Sequence, residues 1–470
     1  MATIAQNVLT QLDDSQVRRH HVRLFSLAAV GIFVDGYDLN VISAALINLV
    51  PSLHPSSLET SWLSTSALIG TALGAAFLGR LTDVIGRKKM FVIDLIFFVL
   101  FALASGFAPN MMWVIIFRFL LGIGIGADYP IAASYVSEII PRRRRGAFLA
   151  ATVGMLSVGS IVANLVSIFI LSVDHGPSAW RFILASGAVP ALIAIIMRSA
   201  MPESPRWLLV KNREQSARSS LQQIGLGDVA TLPAQNLNRK YPYWKLFSPQ
   251  FVRITILVTM SWLLFDILAY GVGIFQPILL EGLGFHSGIP ALLGNLAINM
   301  IGFAGMLLAI ATIERVGRKW QQIIGMLGMG LGLLLVGIMS AHGTKGLPVG
   351  ALLAVFGLYS LSNNWGPSAT TYTSPAELYP TALRAGGHGL AAMSGKVGAA
   401  IGTFFLPLVK QAVGVSNLMY LLAGVAVLGA IVSIVFGVET KGGQSLETIE
   451  DKIVGIRGES VNRQQTNLQL

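Results

Sequence analysis

Residues 83–88 read Asp-Val-Ile-Gly-Arg-Lys, and residues 314–319 read Glu-Arg-Val-Gly-Arg-Lys. An acid, a glycine and two cations thus recur in one order, far apart in the chain. A second pattern recurs with them. Glu138-x-x-Pro141-x-x-x-Arg145 returns as Glu377-x-x-Pro380-x-x-x-Arg384, and Pro202-Glu203-Ser204 resembles Glu439-Thr440-Lys441. The offsets, roughly 230–240 residues, point to two parallel repeats related by an axis along a membrane normal. As an isolated motif each loop could be a basic turn with a carboxylate near a helix end. The pairs in order favour a latch of ion pairs and helix dipoles. Its candidates are Gly79, Asp83, Gly86, Arg87, Glu138 and Arg145 in one half, and Glu314, Gly317, Arg318, Glu377 and Arg384 in the other.

Composition sets the solvent. Of 470 residues, 54% are hydrophobic and 12% charged, and the mean hydropathy is +0.68. Soluble domains carry roughly 25% charge, so this chain lacks the polar residues to cover a globule in water. A helix crosses a bilayer in about 20 apolar residues. On that criterion twelve spans are expected, at 24–50, 58–80, 89–108, 111–137, 147–172, 179–200, 252–281, 287–313, 320–341, 348–376, 385–411 and 416–437. The fold class is therefore an all-α membrane protein of two six-helix bundles. The domain division is a 1–23 N-terminal segment, bundles at 24–200 and 252–437, a central loop at 201–251 and a tail at 438–470, its end (458–470) expected to be disordered.

The net charge of +11 follows the topology. Arginine and lysine crowd alternate loops (Arg18, Arg19 and Arg23; Arg80, Arg87, Lys88 and Lys89; Arg142–Arg145; Arg315, Arg318 and Lys319; Arg384). The other loops are nearly bare, with Lys345 and Lys410 as exceptions. Positive loops stay cytoplasmic, which places both termini inside and the protein in the cell (inner) membrane. The basic residues lack the interleaved aromatics of a nucleic-acid groove. With no cysteine, a scatter of seven histidines and no nucleophile beside an evident base, enzyme chemistry and a bound metal or cofactor are not expected.

Charges inside spans default to function. Asp35, Asp38, Arg118 and Asp128 fall within spans one and four. Burial penalises the charged carboxylate and a neighbouring arginine favours it, so an acid held between the two can load and release a proton. Asp38 is placed to reach Arg118, and Asp35 and Asp128 lie deeper. The same pair would also serve as a plain tether between helices. In the second half Trp262, Asp266 and Tyr270 repeat every four residues and share a helix face, and Lys396 lies mid-span in helix eleven. An ammonium beside a carboxyl and aromatics makes a receptor for a small anion. A structural Asp266–Lys396 bridge is the alternative.

GRLTDVIGRKK (79–89) resembles the signature loop of the major facilitator superfamily. PESPRWLL (202–209) and VETKGGQSLETIE (438–450) are similar to its sugar-porter branch. DGYDLNVIS (35–43), RFLLGIGIGADYPIAASYVSE (118–138), SWLLFDILAY (261–270), NWGPSATTYTSPAELYPTALRAGGHG (364–389) and SGKVGAAIG (394–402) together resemble the phosphate:proton symporters and allied bacterial metabolite transporters. The likeness covers about residues 24–440 and implies alternating access. It implies that Asp38 pairs with Arg118, as in sugar porters, and that Asp128 and Tyr129 lie at a substrate and proton site. Trp262, Asp266, Tyr270 and Lys396 also match symporter binding residues. Two matching positions depart, with Leu156 where the family has Gln and Ser368 where it has Asn. Loss of two amide donors moves the expectation from phosphate toward an anion with an organic part, with Asn164 and Asn364 as candidate replacements. The expectation is a proton-coupled symporter of a small anionic metabolite, organic acid or phosphate, acting as a monomer in lipid. A carrier of a neutral sugar or polyol stands beside it.

Overall fold

A computed structural model describes residues 14–174, 176, 178–223, 242–282, 289–341, 349–380 and 383–440. Lys441, the tail beyond it, the loops at 283–288 and 342–348 and the middle of the central loop lie outside these residues. In hydrocarbon every backbone group needs an internal partner, which leaves helices as the spanning element for such sequences. Spans one to five run Arg19–Leu53, Ser57–Ile85, Arg87–Gly106, Met111–Ile139 and Arg145–Val173. Span six, Ala179–Ser199, is interrupted at Gly187. Span seven is Val252–Gly282, span eight Ile289–Val316 and span nine Arg318–Ala341.

Termini are set by local chemistry. Ser56 caps span two by accepting from the Glu59 amide, and Glu59 accepts the Ser56 amide in return, a capping box. Asn110 likewise caps span four. Spans two and eight end at Gly86 (φ 112°) and Gly317 (φ 91°), a region glycine enters without the Cβ penalty. That conformation lets each following span restart at once, at Arg87 and Arg318.

Span ten differs from the uninterrupted helix expected over 348–376. It consists of Val349–Trp365 and Pro367–Leu378, broken at Gly366. Pro367 has no N–H to continue the ladder and starts the second helix instead. Among the described residues, eleven helices are long and apolar enough to cross a bilayer on their own, and this broken pair supplies the twelfth crossing. Spans eleven and twelve are one helical stretch, Arg384–Phe436, turned at Gly414 (φ 80°). The central segment contributes helices at Pro205–Val210 and Glu214–Gln223 and a 3₁₀ turn at Tyr243–Phe247.

Span one packs on five and two on four; seven packs on eleven and eight on ten. Between the halves, two meets eleven and five meets eight. Close crossings use glycine: a Cβ on Gly122 or Gly126 would overlap the backbone of Ala67 or Thr71 on span two. Phe77, Phe169 and Ile196 are 71%, 66% and 73% exposed on the outer surface. Large exposed apolar side chains of this kind suit contact with lipid.

Candidate functional site

At the basic-loop face, the repeated motifs form two equivalent ionic clusters. Arg87 bonds Glu138 at 2.9 Å and Asp83 at 3.2 Å. Arg318 bonds Glu377 at 2.7 Å and Glu314 at 2.8 Å. Glu203 accepts from the Arg87 and Lys88 amides (3.0 and 3.2 Å) and Glu439 from those of Arg318 and Lys319 (2.9 and 3.3 Å). Ser204 donates to Glu138 as Thr440 donates to Glu377. Burial pushes the Glu203 carboxyl above its ordinary range, against the pull of the Ser204 amide and Arg87.

Both clusters reach across to the other half. Asp83 accepts from the Gly386 amide at 2.8 Å, in the first turn of span eleven. Glu314 accepts from the Gly146 and Ala147 amides at 2.8 and 3.3 Å, in the first turn of span five. Carboxylates at helix N-termini satisfy orphan N–H groups and oppose the dipole. Arg384 adds a 3.4 Å contact to Glu138, Arg145 is buried at the head of span five, and Gly79 lies against Ala385 and Gly389. In this conformation the halves are fastened at the basic face. Glu203 and Glu439 carried the repeat in the sequence but were not expected in the latch.

Beyond the latch lies a cavity of about 200 Å³ between the halves. Its lining runs from Trp262 to Gln276 on span seven and from Val153 to Ser160 on span five, away from the basic face. Tyr129, Leu156, Trp262, Asp266, Tyr270, Ser368 and Lys396 all line it. The Lys396 ammonium donates to Asp266 at 2.9 Å and Tyr270 at 2.7 Å, and it sits 5.0 Å from the Tyr129 ring of the opposite half. Tyr129 and Trp262 pack edge-on at 6.3 Å, each also against Tyr372. Asn364 reaches the void, whereas Asn164 does not line it and bonds the Ser160 carbonyl. Trp365 bonds Thr312 instead of lining the cavity.

The acids of the first half are arranged differently from the shared chamber expected for them. Asp38 and Arg118 do pair, at 2.6 Å, but neither lines the cavity. Asp128 turns away from it, because its place on the helix is about 100° from Tyr129. Its partner is Arg198 of span six, at 2.9 Å. Asp94 of span three lies 3.8 Å from the same guanidinium, which also bonds the Leu27 and Ala28 carbonyls and covers the Phe91 ring at 4.0 Å. Asp35, 3% exposed, makes no hydrogen bond or ion pair among the described residues and interacts electrostatically with Asp128, Asp94, Arg198 and Asp38. Asp94 and Asp128 therefore share one guanidinium, and Asp35 lies within electrostatic reach of it, one helical turn before cavity-lining Leu39 and Asn40. Sequence reasoning missed Arg198 and Asp94, although both are charges inside apolar runs.

Residues 24–452 match the family of sugar (and other) transporters. The chain belongs to that family. It is accordingly a multi-pass membrane transporter and not an enzyme. Among relatives, a probable inorganic phosphate transporter 1-6 of Arabidopsis thaliana is 32% identical, covering 94% of this chain and 96% of its own. A putative metabolite transport protein, YaaU, of Escherichia coli K12 is 30% identical over 95% and 98%. The fold is that of a major facilitator superfamily proton:xylose symporter, XylE, bound to 6-bromo-6-deoxy-D-glucose. The TM-score is 0.80 at 22% identity, over 92% of this chain and 98% of that one. The inward open form of XylE from E. coli gives 0.73 at 22% identity, over 92% and 99%.

Proposed function

We propose that the protein is a proton-coupled symporter of a small anionic metabolite, working as a monomer by alternating access, with its basic face and termini cytoplasmic in the inner membrane. The observation that carries this reading is Lys396. It is a buried ammonium on the wall of a cavity between the halves, held by one half and facing Tyr129 of the other. Tyr129, Leu156, Trp262, Asp266, Tyr270 and Ser368 complete the solute site. Asp35, Asp38 and Asp128, with Arg118 and the unforeseen Arg198 and Asp94, serve the proton. Asp94 and Asp128 share the Arg198 guanidinium and Asp35 lies within electrostatic reach of it, so buried negative charge exceeds positive there, which is costly in a low-dielectric interior. A proton on the group removes part of that charge. Transport of the proton follows when the halves rock and water reaches the cluster from alternate sides. The latch residues set which side is open, and the pairs formed at the basic face close that side here.

Uptake by reconstituted vesicles tests the reading. Accumulation of an anionic solute should require an inward proton gradient and collapse with a protonophore; accumulation indifferent to the gradient overturns it. A second reading, a carrier of neutral sugars or polyols, is favoured by one observation. Lys396 and Asp266 neutralise each other, so the cavity wall has no net charge among its described residues. Competition between neutral and anionic solutes separates the two.

A further inference from the structure

Six carboxamides line the cavity: Asn40, Gln276, Asn295, Asn299, Asn363 and Asn364, from spans one, seven, eight and ten. Two of these six residues stand out. Gln276 is only 6% exposed, yet its Nε2 has no hydrogen-bond partner. Asn295, 5% exposed, makes no hydrogen bond among the described residues, nor does the half-buried Asn299 beside it. Buried amides without partners are costly unless a ligand or ordered water completes them.

The chemistry of the ring selects its ligand. A carboxamide presents donor and acceptor side by side, as does a hydroxyl. Phosphate oxygens chiefly accept, and sites for them converge donors, often a bidentate arginine. No arginine lines this cavity among the described residues, so a phosphate there would have a single ammonium and amide donors in place of a guanidinium. Toward hydroxyls a carboxamide can both give and take, and Gln276, Asn295 and Asn299 keep groups for this, whereas Asn40 and Asn364 already donate to Gly36, Ser160 and Ser360. Lys396 uses two of its three N–H groups on Asp266 and Tyr270 and keeps one for a ligand carboxylate. Tyr129, Trp262 and Phe265 add aromatic surface to the wall, against which a saturated carbon skeleton can pack. The space, about 200 Å³, is several times the ~30 Å³ share of a water molecule and exceeds the needs of a five-atom oxyanion.

We propose that the solute is a polyhydroxylated monocarboxylate, its hydroxyls held by the carboxamide ring and its carboxylate by Lys396. The charge of the solute rests on the function proposed above; the hydroxyls rest on the amides alone. Thermal unfolding of the purified protein tests both parts, with quinate and gluconate as hydroxylated acids. Cyclohexanecarboxylate, myo-inositol and inorganic phosphate are the comparisons. Quinate or gluconate should raise the melting temperature by several degrees, at concentrations at least tenfold below those at which any comparison compound acts. Asn299→Leu should weaken that response at least tenfold while leaving the unliganded melting temperature unchanged. An equal response to cyclohexanecarboxylate, or no response to either hydroxylated acid, overturns the proposal. Phosphate acting alone overturns it while leaving the anion reading intact. Inositol equalling the acids overturns the carboxylate part and the anion reading with it. An Asn299→Leu variant that binds as tightly as the parent also counts against the ring.

Discussion

Asp83, Arg87, Glu138, Glu203 and Ser204 in one half are answered one for one by Glu314, Arg318, Glu377, Glu439 and Thr440 in the other, down to the amides they accept. Deeper in, the correspondence ends. The first half holds Asp94 and Asp128 around Arg198, Asp35 with no ion pair among the described residues, and a separate Asp38–Arg118 pair, none of them lining the cavity. The second half holds one ammonium and one carboxylate on the cavity wall. Duplicated parts have stayed alike where the halves must fasten to each other with equal strength. They have diverged where, on the proposed reading, one half handles a proton and the other a solute.

The strongest attempt to break this division is Lys396→Met. It strands Asp266, and loss of one partner of a buried pair costs about 3–5 kcal/mol. Solute uptake should fall more than ~100-fold, a fall that this much free energy readily covers, and the melting temperature should drop. Adding Asp266→Asn should restore much of the thermal stability without restoring uptake. A single variant as stable as the parent would show that the pair is not buried as described. Next in size is Asp35→Asn. Because Asp35 has no hydrogen bond or ion pair to strand among the described residues, and its charge is buried without one, the melting temperature should stay level or rise. Gradient-driven accumulation should be lost while solute exchange at equal pH persists. Loss of exchange as well would place Asp35 with the solute and erase the division.

How much of this could be read from the chain follows from what spacing encodes. Runs of about 20 apolar residues located the crossings, and a four-residue period aligned Trp262, Asp266 and Tyr270 on one helix face. Partnership between spans has no spacing of its own. Arg198 meets Asp128 and Asp94 through tertiary packing, so nothing near position 198 or 94 names the other. The carboxamide ring was missed because Asn and Gln carry no charge, and single amides pass unnoticed in apolar runs. Span ten reads as continuous by length alone; Gly366-Pro367 carries the break, and the sequence turns polar from Asn363 onward.

Two smaller effects sharpen the comparison. Asp83→Asn and Glu314→Gln each weaken a carboxylate–helix contact worth up to ~2 kcal/mol. Each should shift the balance between the two open forms about tenfold, since 1.4 kcal/mol is a factor of ten. The chain has no cysteine, so labelling of Ser160→Cys by an impermeant maleimide from either face reads that balance directly. Unequal shifts would show that the two latches are not equivalent. The smallest effect is expected from Leu156→Gln or Ser368→Asn taken singly. One added hydrogen bond is worth about 1 kcal/mol, so phosphate should compete about fivefold better in either variant, and no gain would count against the amide argument.

The short rod Pro367–Leu378 carries Ser368 and Thr371 on the cavity wall at one end and Glu377, bonded to Arg318, at the other. At 1.5 Å per residue the two ends are roughly 14 Å apart. The joint at Gly366 parts the rod from the helix above it, and Pro375, with no N–H to give, leaves a gap in its hydrogen bonding two residues before Glu377. On the proposed reading, a solute pressing on Ser368 bears on the fastening at Glu377 without touching it, as a hand on one arm of a lever moves the other.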